Sequence, residues 1–437
     1  MINPIKQEEV MLTEQERLNA YRQMHSSIRN SEQYLVVGID IAKEKHHAFF
    51  GTPAGKTICK QLIIKNDGNG YEQLLARTEQ LRLQHQLKYV VFGMEPTANY
   101  HKPLAEYLIA REAMVVLVSG TAVVRNRELL DNRWDKHDRK DAANVADLVG
   151  AGKCQFYDNP PQIILDLREL LGLRRRYRQL ESGLRIRLRN NLLALHFPEL
   201  DHHFSTHQHD CLSIIKTCFS PQAIAAMHFE KFCRKITDKP IRKRQQAFME
   251  DIWTAAHKTV GRPVDETVQY MATREVCQLE QFRAEIEDLD RQIFKIASAL
   301  PAYQYLVSIP GFGPFISAKI LAAIDDPERF TNEAQVVKLA GFDLCASRSG
   351  KQAGKAIAQI SKKGNAEIRF ALYQAAMVAT TKNTLFITYL NQKIQGREQE
   401  KGIQKKMRTK VAAKLLVIAW TLMKEHKYFN AEHLNLT

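Results

Sequence analysis

The sequence predicts an α/β domain joined to an all-α remainder, and three observations lead there. Short β-rich runs crowd residues 34–118, the apolar spacing turns helical after Asn159-Pro-Pro161, and 437 residues exceed what one ordinary core holds. The expected division is a helical extension over 1–33, a mixed-sheet domain over 34–158, helical coiled-coil-like arms with an insert over 159–300, a helical domain over 301–428, and a tail over 429–437.

Within the extension, Val10, Leu12, Leu18 and Tyr21 have helical spacing among polar residues, which predicts a loosely attached helix. From Tyr34 the texture changes. Tyr34–Asp40, His47–Phe50 and Thr57–Ile64 read as a three-strand meander, with a Thr-Pro-Ala-Gly turn before the third. A helix over Tyr71–Leu83, a strand over Tyr89–Glu95, a helix near His101–Arg111 and a strand over Ala113–Val118 complete a βββαβαβ order. In such a sheet, the central strands bring their terminal residues to one edge, where sites of α/β folds lie.

The helical middle opens on an arm rich in arginine (Arg168, Arg174, Arg175, Arg176, Arg178, Arg185, Arg187, Arg189) and closes on one with coiled-coil-like spacing at Val276, Leu279, Phe282, Ile286, Leu289 and Ile293. Two antiparallel arms suit this pattern. The insert at about 205–265 carries His and Cys in an irregular pattern, and no role is assigned to it.

Hydrophobic residues at 45% and charged residues at 25% exclude a disordered chain. The net charge of +15 favours a polyanionic partner, because each Lys or Arg set against a phosphate releases a condensed counterion. Seven cysteines without a CxxC pair read as free thiols in a reducing compartment. No apolar run approaches the roughly 20 residues that cross a bilayer, and the first residues are polar, unlike a signal peptide. The expectation is a cytoplasmic, nucleoid-associated protein.

Four acidic residues stand where they can converge. Asp40 ends the first strand, Glu95 ends the fourth, and Asp138 and Asp141 are three apart on a predicted helix, hence on one face. Clustered carboxylates repel one another unless a cation sits among them, so the set reads as a hard-metal site for Mg²⁺ or Mn²⁺ suited to phosphoryl transfer. Singly, each also suits a helix cap, a turn or a solvated helix face.

Further on, Leu306-Val-Ser-Ile-Pro-Gly311-Phe-Gly313-Pro314 followed by an apolar helix reads as a helix-hairpin-helix, whose glycine turn and helix N-terminus offer N–H groups to a phosphate; a plain αα-hairpin turn is the alternative. Leu339-Ala-Gly-Phe-Asp343 leads to Ser347-Arg348-Ser349-Gly350-Lys351, then to Ser361-Lys362-Lys363-Gly364-Asn365 and Arg369. A serine attacks phosphorus only where its deprotonation is eased and phosphoryl charge is met, tasks open to Arg348, Lys351, Lys362 and Arg369, with Lys363 beside them. A turn-forming or phosphate-touching serine is the plainer reading of the same residues. The run Lys393, Arg397, Lys401, Lys405, Lys406, Arg408 and Lys410 suits either a solvated face or a track along a nucleic-acid backbone.

Gly38-Ile-Asp40-Ile-Ala-Lys43, Glu95-Pro-Thr-Ala-Asn-Tyr-His101 and Lys136-His-Asp138-Arg-Lys-Asp141-Ala142, in that order, resemble the insertion-sequence transposases that join a RuvC-like DEDD domain to a C-terminal serine domain, the group of bridge-RNA-guided recombinases and pilin-gene invertases. Ala98 and His137 depart from that pattern, where the family usually has Gly and Thr, and Leu344-Cys345 stands where it often has Pro. The resemblance implies an RNase H-like (RuvC-like) first domain, metal on Asp40, Glu95, Asp138 and Asp141, and Ser349 as the nucleophile in a serine transposase domain, with Ser347 a competitor. It also implies DNA as substrate, a structured element-encoded guide RNA, and a homodimer or homotetramer held by the helical arms. The rival expectations are a RuvC-like metal-dependent DNA nuclease, a DNA invertase without RNA guide, and a non-catalytic binder.

Overall fold

The computed structural model describes residues 13–131, 138–345 and 359–433. They fall into two compact units that divide after Pro161. In the first, the element order is α1 (Glu14–Ser27), β1 (Tyr34–Asp40), β2 (Lys45–Gly51), β3 (Thr57–Lys65), α2 (Gly68–Gln84), β4 (Tyr89–Met94), α3 (Lys102–Ile109), β5 (Met114–Leu117), α4 (Gly120–Asp131), α5 (Asp138–Gly150) and β6 (Gln155–Phe156). One mixed sheet runs β3-β2-β1-β4-β5-β6, with β1–β4 and β4–β5 parallel and the other pairs antiparallel. The βββαβαβ order read from the sequence is present, and β6 is an addition too short to show a pattern.

β1 is central, so both of its faces are buried and its sequence is a continuous apolar run. Alternate residues still serve different layers. Leu35, Val37 and Ile39 pack with Leu74, Leu81, Leu104 and Leu108 of α2 and α3, while Val36 joins Val91, Val116 and the apolar face of α5 (Val145, Val149). Strand β1 meets α5 with almost no space between. A Cβ on Gly38 would lie 2.2 Å from the Ala142 carbonyl oxygen and 2.5 Å from the Ala146 nitrogen, and one on its register partner Gly93 would lie 2.4 Å from Val149 Cγ2.

The first helix is docked, against the expectation of loose attachment. A Thr13–Glu16 capping box starts α1, which buries Leu18 and Met24. Ile28, just after it, is fully buried, the Arg17 guanidinium donates to the Tyr157 carbonyl (3.0 Å), and the Tyr21 hydroxyl donates to the Cys154 carbonyl (2.9 Å). Its polar sequence hid these long-range anchors.

In the second unit, α6 (Gln162–Arg187) runs into a π-helical stretch, Leu188–Leu193, and the short α7 (Ala194–His196). The insert is helical rather than irregular: α8 (Pro198–His203), α9 (Gln208–Cys218), α10 (Pro221–Ala225), α11 (Phe229–Ile236) and α12 (Lys243–Ala256) enclose their own core of Phe197, Phe219, Phe232, Phe248 and Ile252. Short helices with frequent breaks between them obscure the 3.6-residue period. Cys211, Cys218 and Cys233 belong to this core, and burial pushes the Cys211 thiol up to about 12, so it serves as an apolar filler and not as a thiolate ligand.

The return arm α13 (Glu266–Ser298) lies antiparallel to α6, joined by the Arg174–Asp290 ion pair, Arg283 Nε to Glu181 Oε1 (3.3 Å) and the Tyr177–Phe282 ring contact. The remaining elements are α14 (Pro301–Val307), α15 (Pro314–Ile324), α16 (Glu333–Leu339), the two-stranded β7 (Leu344–Cys345) and β8 (Gln359–Ile360), α17 (Ala366–Lys382), α18 (Thr384–Ile394) and α19 (Ile403–Glu425). Leu167 of α6 and Ile293 and Ala297 of α13 share one core with Leu306, Ile320, Leu372 and Leu416, so the arm ends are built into the C-terminal helices. Among the described residues, no helix is long and apolar enough to cross a membrane.

The contact between β1 and α5 generates a prediction. Gly38→Ala pushes a methyl into backbone that cannot yield, and stability should fall by about 3 kcal/mol, the upper part of the overpacking range. Thermal or urea unfolding of the full-length protein checks this, with Gly55→Ala, whose Cβ meets nothing within 4 Å but whose φ is +87°, expected to cost less.

Candidate active site

The parallel pairing of β1 with β4 puts Ile39 opposite Met94, so Asp40, the last residue of β1, and Glu95, the first residue after β4, follow at the carboxyl edge of the sheet. Both are half-buried. The Glu95 carboxylate rests against the first residue of α4: a Cβ on Gly120 would lie 2.5 Å from Glu95 Oε1. Beyond Asp40, the Ala42 N–H donates to Nδ1 of the fully buried His46 (3.2 Å). Burial pushes the His46 pKa down, so its ring is the neutral acceptor that holds this turn.

α5 crosses Gly38 at Ala142 and Ala146 and reaches Pro53, just past β2, with Gly150. Its first turn therefore lies toward the carboxyl end of β1, the edge that bears Asp40 and Glu95. Asp138 is the first residue of this helix, and its side chain lies outside the described set. Asp141 is 4% exposed, and its Oδ1 accepts from Arg127 Nε at 2.9 Å and lies 2.8 Å from Arg127 Nη2. One turn on, Asn144 donates to the Val123 carbonyl (2.7 Å) and accepts from Asn126 (2.9 Å), which also donates to Asp147 (2.7 Å). Helices α4 and α5 are thereby fastened around the buried carboxylate.

The donors are all carboxylate oxygens, the chemistry of a hard divalent ion, and the backbone brings their elements to one edge. The described side chains are not gathered as a finished ligand set: among the described residues, no group of three or more His, Cys, Asp or Glu is close enough to hold a metal. Asp40 and Glu95 fit as the adjacent pair. Asp141 lies on the same helix as Asp138, with its Oδ1 already engaged by Arg127.

In the second unit, Arg348, Ser349 and Lys351, with the competitor Ser347, lie outside the described residues. The segment that bears them is bracketed by β7 and β8, where Leu344 pairs with Ile360 and Cys345 with Gln359. Just after it the backbone is tied down. The Lys362 N–H donates to the Gly341 carbonyl (3.1 Å), the Asn365 N–H to the Leu339 carbonyl (2.7 Å), and the Arg369 guanidinium to the Ala340 carbonyl (2.8 Å). Arg369 thus holds the loop after α16, while Lys362 and Lys363 are exposed. In the α14–α15 turn, Gly311 has φ +89°, and a Cβ there would lie 2.4 Å from the Ala375 carbonyl oxygen, so packing against α17 demands this glycine. Gly313 has open space around it and precedes α15 with no side-chain cap, leaving that N-terminus to other acceptors.

These motifs match known proteins in the same order. A transposase model of the DEDD, IS110 type matches residues 37–198, and a model of the transposase IS116/IS110/IS902 family matches residues 303–391, together more than half of the chain. The chain belongs to the IS110/IS116 transposase family. Its relatives include the insertion element IS110 uncharacterized 43.6 kDa protein of Streptomyces coelicolor, 24% identical over 86% of this chain and 92% of its own length. The insertion element IS116 uncharacterized 44.8 kDa protein of Streptomyces clavuligerus is 24% identical over 78% of this chain and 84% of its own. The transposase is therefore an enzyme that cuts and rejoins DNA, and its DEDD domain suggests dependence on a divalent metal.

Sequence reasoning passed over Arg127, Asn126, Asn144 and His46. Asn144 carries a signal, being three residues after Asp141 and so on the same helix face. Arg127 carries none, because its partner is fourteen residues away on another helix. Removing one partner of a buried pair leaves an uncompensated charge, so Arg127→Ala should lower the metal-free transposase's stability by about 3 kcal/mol. Chemical unfolding in chelator measures this, and a loss within about 0.5 kcal/mol, the size of an ordinary surface change, would contradict it.

Proposed function

We propose that the transposase breaks and rejoins DNA through Ser349, assisted by a divalent ion, Mg²⁺ or Mn²⁺, held by Asp40, Glu95, Asp138 and Asp141 in an RNase H-like (RuvC-like) domain. The observation that carries this reading is the meeting of Asp40, Glu95 and the first turn of α5 at one sheet edge. The mixed sheet, with an antiparallel hairpin on one side of β1 and parallel strands on the other, supports the fold assignment.

In this mechanism the Ser349 Oγ forms a bond to phosphorus as the bond from phosphorus to a deoxyribose oxygen breaks. The proton lost by Oγ is matched by one gained by the departing sugar hydroxyl. The product is a phosphoserine link, and a hydroxyl of the recipient strand reverses the step to rejoin the DNA. Arg348, Lys351, Lys362 and Lys363 meet the phosphoryl charge, and Arg369 keeps their loop in place. A bound divalent ion supplies electrophilic stabilisation of charge at the scissile phosphate. Gly313 and the start of α15 offer N–H groups to a flanking phosphate, with Gly311 shaping the turn. The family resemblance extends the proposal to a structured guide RNA encoded by the element, to a homodimer or homotetramer joined through α6 and α13, and to nucleoid association.

The nuclease reading shares the acidic site but uses water in place of serine. Ser349→Ala separates them: covalent protein–DNA adducts on a cognate substrate should fall at least about a thousandfold, as expected when a nucleophile is removed, while Ser347→Ala retains them. Strand cleavage that survives Ser349→Ala would make the protein a nuclease. Asp40→Asn and Glu95→Gln should each abolish stabilisation of the protein by Mg²⁺ in thermal melting; a full Mg²⁺ shift in both would remove the metal site. Sequencing of RNA that co-purifies with the transposase should return one discrete element-derived species, and its absence would favour the invertase without a guide.

A further inference from the structure

The second unit contains a cation-lined cleft built from described helices. It has a volume of about 270 Å³ and lies between α6, α15 and the start of α17, with Arg168, Gly172, Arg175, Lys319, Asn365 and Glu367 among its walls. Arg168, Gly172 and Arg175 are spaced four and three apart on α6 and so share a face. Glu367 alone faces two of the cations, with Oε1 3.3 Å from Arg175 Nη1 and Oε2 3.4 Å from Lys319 Nζ. Arg168 is fixed at the back by donating to the Ala322 carbonyl at 2.7 Å, with Asp325 Oδ2 4.0 Å from its Nη2.

We infer that this cleft is a binding site for a backbone phosphate of DNA, with Arg175 and Lys319 as its principal cations and Glu367 as a built-in competitor that the phosphate displaces. Three features argue for it. The ion pairs made by Glu367 are long, and the one with Arg175 is about half open to solvent, Arg175 being 51% and Glu367 44% exposed, whereas Lys319 is 23% exposed; an open pair holds weakly, so exchanging the carboxylate for a phosphodiester costs little at Arg175. Glycine is the least favourable helix residue after proline, yet a Cβ on Gly172 would meet nothing within 4 Å. No packing calls for that glycine, but a side chain there would stand in the cleft between Arg168 and Arg175. Finally, the exposed Lys362 and Lys363 stand three and two residues before Asn365 at the cleft's rim, so positive charge continues from the cleft toward the loop after β8. Three cations against Glu367 and Asp325 leave the cleft itself net positive.

The inference rests on the reading that the second unit engages DNA, and it goes further by assigning a phosphate site on α6, α15 and α17 and by giving Glu367 a part. The test uses the full-length protein and a labelled DNA duplex, with affinity measured across a KCl series. Arg175→Gln with Lys319→Gln should weaken binding at least about tenfold and reduce the slope of log affinity against log salt by about 1, the change for one lost phosphate. Glu367→Gln should strengthen binding several-fold with the melting temperature close to that of the parent, an outcome that a purely structural glutamate would not give. An unchanged slope in the double variant, or unchanged or weaker binding in Glu367→Gln, overturns the site. Should the double variant fail to fold, Glu367→Gln decides alone. Wild-type protein with no salt-dependent duplex binding overturns the DNA reading together with the site, whereas wild-type binding with unresponsive variants overturns the site only. A parallel series with a structured RNA hairpin completes the test: losses confined to RNA overturn the assignment to DNA.

Discussion

The approach of α5 to the glycine floor of β1 and β4 is the constraint on which the first unit depends. Without side chains at Gly38 and Gly93, the helix backbone lies directly against the sheet, with Ala142, Ala146 and Val149 at the contact. That closeness sets the level of the helix relative to the strand ends. A helix held further off by even one methyl would carry Asp138 and Asp141 away from the edge where Asp40 and Glu95 emerge. Packing of this density transmits shifts and does not absorb them, so the glycines govern the site's geometry although they make no chemical contribution.

The same edge carries an electrostatic tension. A carboxylate buried at such an edge needs a compensating charge, and a low-dielectric setting raises that need. Arg127 relieves it at Asp141, while Asn126 and Asn144 fasten the helix that bears Arg127 to the helix that bears Asp141. The pair ties α4 to α5.

In the second unit, positive charge is distributed with different purposes. Arg174 pairs with Asp290 between the arms and also stacks over Phe315, and Arg369 closes the loop after α16, so both are bound into the fold. Arg175 and Lys319, by contrast, share one exposed carboxylate, and Lys362 and Lys363 face solvent. A basic composition alone cannot divide structural cations from those free to meet a polyanion. The division follows from which carboxylates and carbonyls the fold places within reach.

Much of the chain was legible from its residues. The β-rich runs of β1 to β3, the turn at Thr52-Pro-Ala-Gly55 and the strand before Glu95 are local patterns, and local sterics and periodicity were enough to give the order of the elements and to set Asp40 at the end of β1 and Glu95 just past β4. The helical spacing of Asp138 and Asp141 was legible for the same reason. What the sequence could not reveal depends on partners far along the chain: the docking of α1 through Arg17 and Tyr21, the separate core of the insert, the hold of Arg127 on Asp141, and the meeting of Arg175 and Lys319 at Glu367. Sequence by itself determined the kinds of element and the chemistry they carry, since these follow from neighbouring residues. Only tertiary structure decided which charges are paired and which remain available, because that depends on distances between segments whose separation in sequence bears no relation to their separation in space.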